Sequence, residues 1–356
     1  MRVAQVCPYS LTIPGGVQGQ VLALSRSLRT LGHETRVLAP CDGPPPDAGV
    51  TPLGNSIPLA SNGSVAPLAP DISCALRTIR ALRDEDFDVV HLQEPLCPGP
   101  TLTTLLFSDR PMLGTFHRSG ASSAYAALGP LVRRAAQRLS MRAAVSKDAL
   151  ATARGAVPGD YEMVFNGIEV ERFAKAQPWP TDGPTIFFIG RHEPRKGLDV
   201  LLAAFADLPP DAHLWVAGEG QQTAELKART AHDARIEWLG RIPDDEAASR
   251  LRGADLFCAP SLHGESFGVV LLESMAAQTP IVASDLPGYR NVARPDVDAL
   301  LVPPNDPVVL GLALRRVLTD SALAAELVAA GEVRANEVSM DRLAERYVGL
   351  YQSLLS

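Results

Sequence analysis

Two glutamates eight residues apart in HGESFGVVLLES, Glu265 and Glu273, carry the densest chemistry in the sequence. Gly264 and Gly268 flank the first, and the run Val269 to Ala277 reads as a helix opened by that glycine-rich segment. A carboxylate before a helix and another inside its second turn can accept hydrogen bonds from several hydroxyls at once, which suits a sugar and a ribose. The plainer alternative makes Glu265 a cap and Glu273 an exposed helix residue. A second pair, Arg191 and Lys196 in GRHEPRKG, stands five apart on a loop that leaves a strand and opens a helix. Only four of the 33 basic residues are lysines (Lys147, Lys175, Lys196, Lys227), which makes a lysine here a weak fit to a solvated surface charge. Two cations there could neutralise a diphosphate as it leaves, the electrostatic work Mg²⁺ does elsewhere; surface ion pairs with Glu193 are the alternative. Third, Gly15 and Gly16 in CPYSLTIPGGVQGQ immediately precede a helix. Main-chain N–H groups at a helix start, with glycines that allow close approach, make an anion site, unless the pair is a plain turn.

These residues need strand ends and helix starts to hold them. Strand-like runs at Val3 to Cys7, Thr35 to Ala39, Phe87 to Leu92, Pro111 to Phe116, Ala143 to Ser146 and Glu162 to Phe165 alternate with helical patterns. That alternation predicts βαβ units and a parallel sheet. Between Val17 and Leu31 apolar residues recur at three- and four-residue steps, and Gly32 ends the helix. The pattern pauses over NGIEVERFAKAQPWPTDGP, a candidate hinge, and restarts with Ile186 to Ile189, Leu214 to Ala217, Ile236 to Leu239, Leu256 to Ala259, Ile281 to Ser284 and Leu300 to Val302. Two helices from about Pro307 to Val333 and a last one over Asp341 to Leu354 follow. The expected division is 1–165 and 166–339, with the helix 340–356 packing back on the first domain. Ligands of doubly wound sheets bind beyond the carboxyl ends of the strands, so two such domains would face each other across a cleft.

Composition fits this. A chain of 356 residues, 46% hydrophobic and 21% charged, is ordinary globular material and more than one core usually holds. Its 40 acidic against 33 basic residues give a net charge of −7, which removes support for nucleic-acid binding. Five scattered cysteines without a C-x-x-C pair argue against a disulfide framework or zinc knuckle, and a short, polar N-terminus argues against a secretory leader. A cytoplasmic protein without a membrane span is expected. Neither G-x-G-x-x-G nor a P-loop occurs, which disfavours a dehydrogenase or a nucleotide hydrolase. Asp84 to Asp86 contain D-x-D but precede a strand, and read as solvated loop.

Together, Pro-Gly-Gly after the first strand, GR with a lysine five residues on, and E-x7-E in GESFG resemble the retaining glycosyltransferases of family 4, whose fold is the GT-B type with two Rossmann-like parallel-sheet domains. The resemblance spans essentially the whole chain. Within that family the segments VCPYS, PGGVQ, NGSVA, FDVVH, GTFH, AVS, EPRKG, CAP, GESFGVVLLE and VASDL look, in order, like those of actinobacterial phosphatidylinositol mannosyltransferases. The resemblance implies that the Gly15–Gly16 turn, through the Gly16 amide, contacts the donor diphosphate and that Arg191 and Lys196 hold it. It further implies that His117 faces the transferring sugar, that Glu265 with the Phe267 and Gly268 amides holds the sugar hydroxyls, and that Glu273 holds the ribose. Tyr9 would pack on the acceptor ring, and Asp244 in GRIPDDE would accept guanine N–H groups. No cofactor and no metal is implied; the leaving phosphate itself takes the acceptor proton.

Departures from the family pattern concern the acceptor and the base. Pro67 and Ala69 stand where relatives acting on phosphatidylinositol carry arginines, and Ala247 stands where a lysine is expected beside Asp244. In ISCALRTIRALRDED the arginines Arg77, Arg80 and Arg83 are followed by Asp84, Glu85 and Asp86. Between Arg118 and Arg154 lie Arg133, Arg134, Arg138, Arg142 and Lys147, and a helix there would put Arg134, Arg138 and Arg142 on one face. The expectation is a metal-independent transferase moving a hexose, mannose from GDP-mannose, onto a cyclitol-like or lipid-linked acceptor, with weak peripheral membrane contact. The rivals are a UDP-sugar transferase acting on a soluble cyclitol or secondary metabolite, and a two-lobed sugar-binding protein, against which the buried-looking Arg191 and Lys196 count.

Overall fold

The computed structural model describes residues 1–61, 64–118, 134–265 and 267–356. Asn62 and Gly63 of NGSVA, Arg133 of the basic segment and Ser266 of GESFG lie outside the described residues. The chain forms two compact units, Met1–Gly167 with Met340–Ser356, and Ile168–Ser339.

In the first unit the strands are β1 (Arg2–Val6), β2 (Glu34–Ala39), β3 (Val50–Pro52), β4 (Ile57–Ser61), β5 (Ser64–Leu68), β6 (Val89–Gln93), β7 (Met112–Phe116), β8 (Met141–Ala144) and β9 (Glu162–Met163). All except β4 and β5 join one sheet in the order β3-β2-β1-β6-β7-β8-β9, with every pairing parallel. The second unit holds β10 (Thr185–Ile189), β11 (His213–Ala217), β12 (Ile236–Gly240), β13 (Leu256–Ala259), β14 (Ile281–Ser284) and β15 (Leu300–Val302), ordered β12-β11-β10-β13-β14-β15 and again parallel. Strands β6, β7, β13 and β14 are buried along their whole length, because helices cover both faces of a parallel sheet.

The helices named here are α1 (Gly16–Thr30), α2 (Ile72–Asp84), α3 (Pro100–Phe107), α4 (Lys147–Ala156), α5 (Val170–Ala174), α6 (Leu198–Ala206), α7 (Thr223–Arg229), α8 (Asp244–Gly253), α9 (Val269–Ala276), α10 (Pro307–Thr319), α11 (Ser321–Glu337) and α12 (Met340–Leu355). Helix α1 buries Val21, Leu24 and Leu28, each worth about 1.5–3 kcal/mol. It closes as the sequence predicts: the Gly32 N–H donates to the Arg29 carbonyl and the His33 N–H to the Leu28 carbonyl, the paired bonds of a Schellman turn. The amphipathic α12 returns to the first unit, where Leu343, Tyr347, Leu350 and Tyr351 join the core with Leu24 and Leu28.

Several expectations are corrected. The segment read as a loop around Pro67 is a hairpin, β4 against β5, in which Pro67 pairs opposite Pro58 and both Pro67 and Ala69 are buried. No helix carries Arg134, Arg138 and Arg142 on one face: the helical turn stops at Ala136, Arg138 donates to the Ser108 carbonyl, and Arg142 lies in β8. The acids Asp84 to Asp86 are solvated as expected, and they also take part in surface ion pairs. Asp84 ends α2 and meets Arg80 and Arg83, Glu85 meets Arg2 and Arg36, and Asp86 meets Arg110. The candidate hinge shortens as well. Downstream of α5, Trp179 donates its N–H to the Ser249 carbonyl and lies under the Arg250 guanidinium, which also covers Trp215. The crossing itself is Gly167 to Ile168, where the Gln20 amide holds both the N–H and the carbonyl of Gly167 at 2.8 Å.

In both sheets the strand order reverses beside the first strand, between β1 and β6 and between β10 and β13. That reversal is where a doubly wound sheet opens a crevice for ligands. The residues leaving those strand ends are therefore the ones to examine.

Candidate active site

In the second unit the loops after β10 and β13 are locked together. The Leu262 N–H donates to the Arg195 carbonyl at 2.7 Å, and Gly197, at φ 66°, lies so close to the other loop that a Cβ would sit 2.0 Å from the Pro260 oxygen. Only glycine allows that approach. The result brings Lys196 Nζ to 2.7 Å from Glu265 Oε1, an oxygen that also accepts from Ser261 Oγ at 2.9 Å and faces Arg195 Nη1 at 3.4 Å. Behind it the buried Tyr289 donates its hydroxyl to Ser261 at 3.0 Å. Glu265 is thus an oriented carboxylate, not a helix cap. Its Oε2 has no partner among the described residues and is free to accept from hydroxyls.

Arg191 behaves differently. Its side chain is 51% exposed against 20% for Lys196, and it pairs with Glu193 at 2.9 Å, so the expectation of two buried cations holds for Lys196 alone. Glu193 also takes Arg195 Nε at 3.0 Å. Arg195, Ser261 and Tyr289 were not picked out by sequence, whereas Glu193 is the ion-pair partner expected there and is found on Arg191; an Arg-Lys dipeptide carried the signal for Arg195, and nothing local marks Tyr289.

Helix α9 starts on Gly268 at φ 85°, a left-handed conformation that glycine adopts without strain, and a Cβ there would meet Tyr289 at 2.8 Å. No side chain caps this helix and no acid sits in its first turn. Helix α1 likewise starts without a side-chain cap or an acid in its first turn, on an extended Gly15, and nothing lies within 4 Å of where a Cβ of Gly16 would point. By contrast Asp71, Ser146, Asp306 and Asp320 cap α2, α4, α10 and α11 with their side chains. The uncapped, acid-free starts of α1 and α9 at the strand-order reversals leave main-chain donors and positive dipole ends for an anion; α3 after β6 shares this but has Pro100 in its first turn, which removes a donor. Phe267, beside that start, is buried.

Glu273 has no hydrogen-bond partner among the described residues, and burial pushes its carboxyl up to about 7, with Arg172 opposing and Asp244 adding to the rise. Asp244 opens α8, stands exposed, and meets Arg172 at 3.6 Å. The two sequence-derived nucleoside contacts, Glu273 and Asp244, are therefore electrostatically coupled, with Arg172 as an unforeseen third member.

In the first unit His117 follows β7, held on two sides by the residues that end β6. Glu94 Oε1 accepts the main-chain N–H groups of His117 and Arg118, each at 2.6 Å, and Gln93 Oε1 lies 2.6 Å from His117 Nε2. Glu94 itself has φ 51°, an uncommon conformation for a residue with a Cβ. Burial lowers the His117 pKa, against the opposing pull of Glu94 and of a hydrogen bond with the Asn166 side chain, so the imidazole favours its neutral form. Tyr9 is half-buried with its hydroxyl 3.7 Å from Cys97 Sγ. Among the described residues no group of three His, Cys, Asp or Glu side chains could hold a metal ion, and no helix is long and apolar enough to cross a membrane.

Comparison with known proteins follows the same division. Residues 14–172 match the family described as Glycosyltransferase Family 4, and residues 169–334 the family described as Glycosyl transferases group 1. The phosphatidyl-myo-inositol mannosyltransferase of Mycobacterium leprae is 36% identical over 99% of this chain and 97% of its own; that of Mycolicibacterium smegmatis is 36% identical over 99% and 94%. Among solved structures, Anabaena HepE in complex with UDP and glucose aligns with a TM-score of 0.77 over 99% of this chain and all of its own, at 16% identity. The glycosyltransferase WaaG, involved in lipopolysaccharide biosynthesis, aligns with a TM-score of 0.68 over 98% and 99% at 17% identity, a likeness of fold.

Proposed function

This chain belongs to family 4 of the glycosyltransferases, with the GT-B fold, and from that premise we propose that it transfers mannose from GDP-mannose, with retention, to a hydroxyl of a cyclitol-like acceptor such as phosphatidylinositol. One observation carries the reading: relatives named for mannosyl transfer to phosphatidyl-myo-inositol are 36% identical across 99% of the chain.

The geometry supports a division of labour. In the second unit Lys196, with Arg191, holds the diphosphate and stabilises the negative charge that grows on it as the bond to the sugar breaks, and in the first unit the uncapped start of α1 at Gly15 and Gly16 offers main-chain donors to an anion. Glu265, oriented by Ser261 and Lys196, accepts from sugar hydroxyls while the amides of Phe267 and Gly268 donate to the sugar's oxygens. Glu273 accepts from the ribose, Asp244 from the base, and Tyr9 packs on the acceptor ring. His117, neutral and fixed by Gln93, positions the sugar rather than serving as a base. In the transfer the acceptor oxygen bonds to the anomeric carbon as the carbon–oxygen bond to the diphosphate breaks on the same face, and the acceptor proton passes to the leaving phosphate oxygen. That step requires no metal.

The test is a transfer assay with GDP-mannose, GDP-glucose, UDP-glucose and UDP-N-acetylglucosamine against phosphatidylinositol and free myo-inositol, with and without EDTA. GDP-mannose and an inositol acceptor, an α-linked product, and activity within about twofold in EDTA are expected. Preference for a UDP-sugar would transfer the reading to the soluble-acceptor class, and an EDTA loss restored by Mn²⁺ would remove the metal-independent step.

A further inference from the structure

Behind His117 a chain of buried side chains runs across the first sheet to the C-terminal helix. Gln5 of β1 and His91 of β6 stand opposite each other in register, and both are fully buried. Gln93 Nε2 lies 3.1 Å from Gln5 Oε1 and 3.2 Å from His91 Nε2. The Tyr351 hydroxyl closes the chain, 3.0 Å from Gln5 Nε2 and 2.7 Å from His91 Nδ1. On a side branch Thr115 Oγ1 stands 2.7 Å from His91 Nε2 and 3.1 Å from the Tyr347 hydroxyl.

As the two amides are placed, this network runs in one direction. An amide nitrogen has two hydrogens and accepts nothing, and an amide oxygen only accepts. With Gln93 Nε2 donating to Gln5 Oε1 and to His91 Nε2, the His91 proton must be on Nδ1, where it is donated to Tyr351. The Tyr351 oxygen then accepts twice, from His91 and from Gln5, while the single lone pair of His91 Nε2 faces both Gln93 and Thr115. In the reverse polarity both amides are flipped, and Tyr351 would have to donate to Gln5 Oε1 and to His91 Nδ1 at once. Each polarity leaves one buried group short, the Tyr351 hydrogen in the first and an acceptor in the second; the amide placements, Gln5 Nε2 donating to Tyr351 and Gln93 Nε2 to Gln5, select the first.

We propose that Tyr351 is a positioning residue for glycosyl transfer: through Gln5, His91 and Gln93 it fixes His117 as the tautomer protonated on Nε2, with the Asn166 side chain as the ring's other hydrogen-bond partner. This rests on the sugar-positioning role given to His117 above. The titratable groups that face the two rings are Glu94 beside His117, Tyr347 and Tyr351 against His91, and each ring for the other; burial drives His91 down to about 3, with the charge of His117 the lesser cause. Both rings therefore remain neutral at assay pH, and tautomer rather than charge is the variable that Tyr351 controls.

The experiment is ¹⁵N–¹H spectroscopy of histidine-labelled protein, the His117 signal among the seven histidines being assigned by its loss in His117→Asn. In the wild type His117 is expected as the Nε2–H tautomer, titrating below the ordinary histidine value, and His91 as Nδ1–H. Tyr351→Phe should give a mixture of His117 tautomers and a kcat three- to tenfold lower with donor KM within twofold, whereas Tyr347→Phe, which removes only the hydroxyl on Thr115 and keeps the ring against His91 and Tyr351, should leave the tautomer unchanged. An Nδ1–H tautomer of His117 in the wild type overturns the inference whatever the variants do, as does a pure Nε2–H tautomer in folded Tyr351→Phe. Should His117→Ala transfer sugar at the wild-type rate, the role of His117 falls while the tautomer measurement still judges the network.

Discussion

The two units place polarity at their strand-order reversals in opposite ways. Around Lys196 the second unit concentrates full charges, Arg191, Glu193, Arg195, Lys196 and Glu265, at the loop surfaces. Around His117 the first unit puts neutral groups, Gln5, His91, Gln93, Thr115 and Tyr351, deep in the sheet, with Glu94 holding the main-chain N–H groups of His117 and Arg118. The physical cost explains the split. A charge near solvent can be exchanged onto an incoming diphosphate, whereas a charge buried beneath the sheet would cost several kcal/mol and could serve nothing but its partner. Electrostatic stabilisation therefore belongs to one unit, and rigid positioning by hydrogen bonds to the other.

The largest test breaks the charged side. Lys196→Ala should lower kcat by about a hundredfold or more, since a preorganised donor at developing charge is worth about 3 kcal/mol. Arg191→Ala should cost about tenfold less than that, because a half-exposed guanidinium paired with Glu193 is screened by solvent. Steady-state kinetics in one buffer decides, and equal losses in the two variants would return Arg191 to parity with Lys196.

A smaller test uses pH, where the two units carry opposite signs. The unfolded chain releases the Glu273 proton near 4.5 and the folded protein near 7, so this group's contribution to stability declines as pH rises through that window. For His91 the unfolded chain takes up a proton near 6.5 and the folded protein near 3, so stability declines as pH falls between them. Glu273→Gln should accordingly raise Tm relative to the wild type at pH 8 and lose that advantage by pH 5, with about 2–4 °C expected per kcal/mol. It should also raise donor KM about tenfold with kcat little changed, because ribose contacts alter little between ground and transition states. In the wild type donor KM should fall as pH rises through 7, since ribose hydroxyls donate best to the ionised carboxylate. A flat Tm difference across pH 5 to 8 would mean that Glu273 ionises normally.

How much of this was legible follows the same contrast. The Lys196 and Glu265 loops announce themselves, because glycines, cations and acids cluster within a few residues after apolar β-branched runs, and the alternation of those runs predicts both sheets nearly strand for strand. The neutral network does not. Gln5, His91 and Gln93 fall on strands where polar residues have no local reason to be, and their partners Tyr347 and Tyr351 stand over two hundred residues downstream. Glu94 is set apart by its backbone conformation, which sequence does not display. The supposed arginine face failed for a related reason: three-to-four spacing at Arg134, Arg138 and Arg142 fits a helix, but the chain needs residues 141–144 as β8 beside β7, and sheet pairing overrode the local period.

The smallest effect expected is on anionic lipid vesicles, and here too the comparison is with charge that is already committed. An unpaired Lys or Arg beside an anionic leaflet contributes about 1 kcal/mol. Around α2, however, Arg77, Arg80 and Arg83 are followed by Asp84, Glu85 and Asp86, and Arg80 and Arg83 both meet Asp84 at 3.1 Å, so little net attraction is left. What α2 does expose is apolar: Ile72 and Leu76, one turn apart, are 79% and 62% exposed. Binding to phosphatidylinositol vesicles should therefore be weak and nearly independent of salt, reduced further by Ile72→Ser with Leu76→Ser, and little changed by Arg138→Glu, whose charge Asp109 already faces at 3.9 Å. Co-sedimentation at 50 mM and 300 mM salt decides. Binding that falls steeply with salt would show that Arg80 and Arg83 leave Asp84 for the membrane, and that the charged surface of the first unit is as exchangeable as the Lys196 cluster of the second.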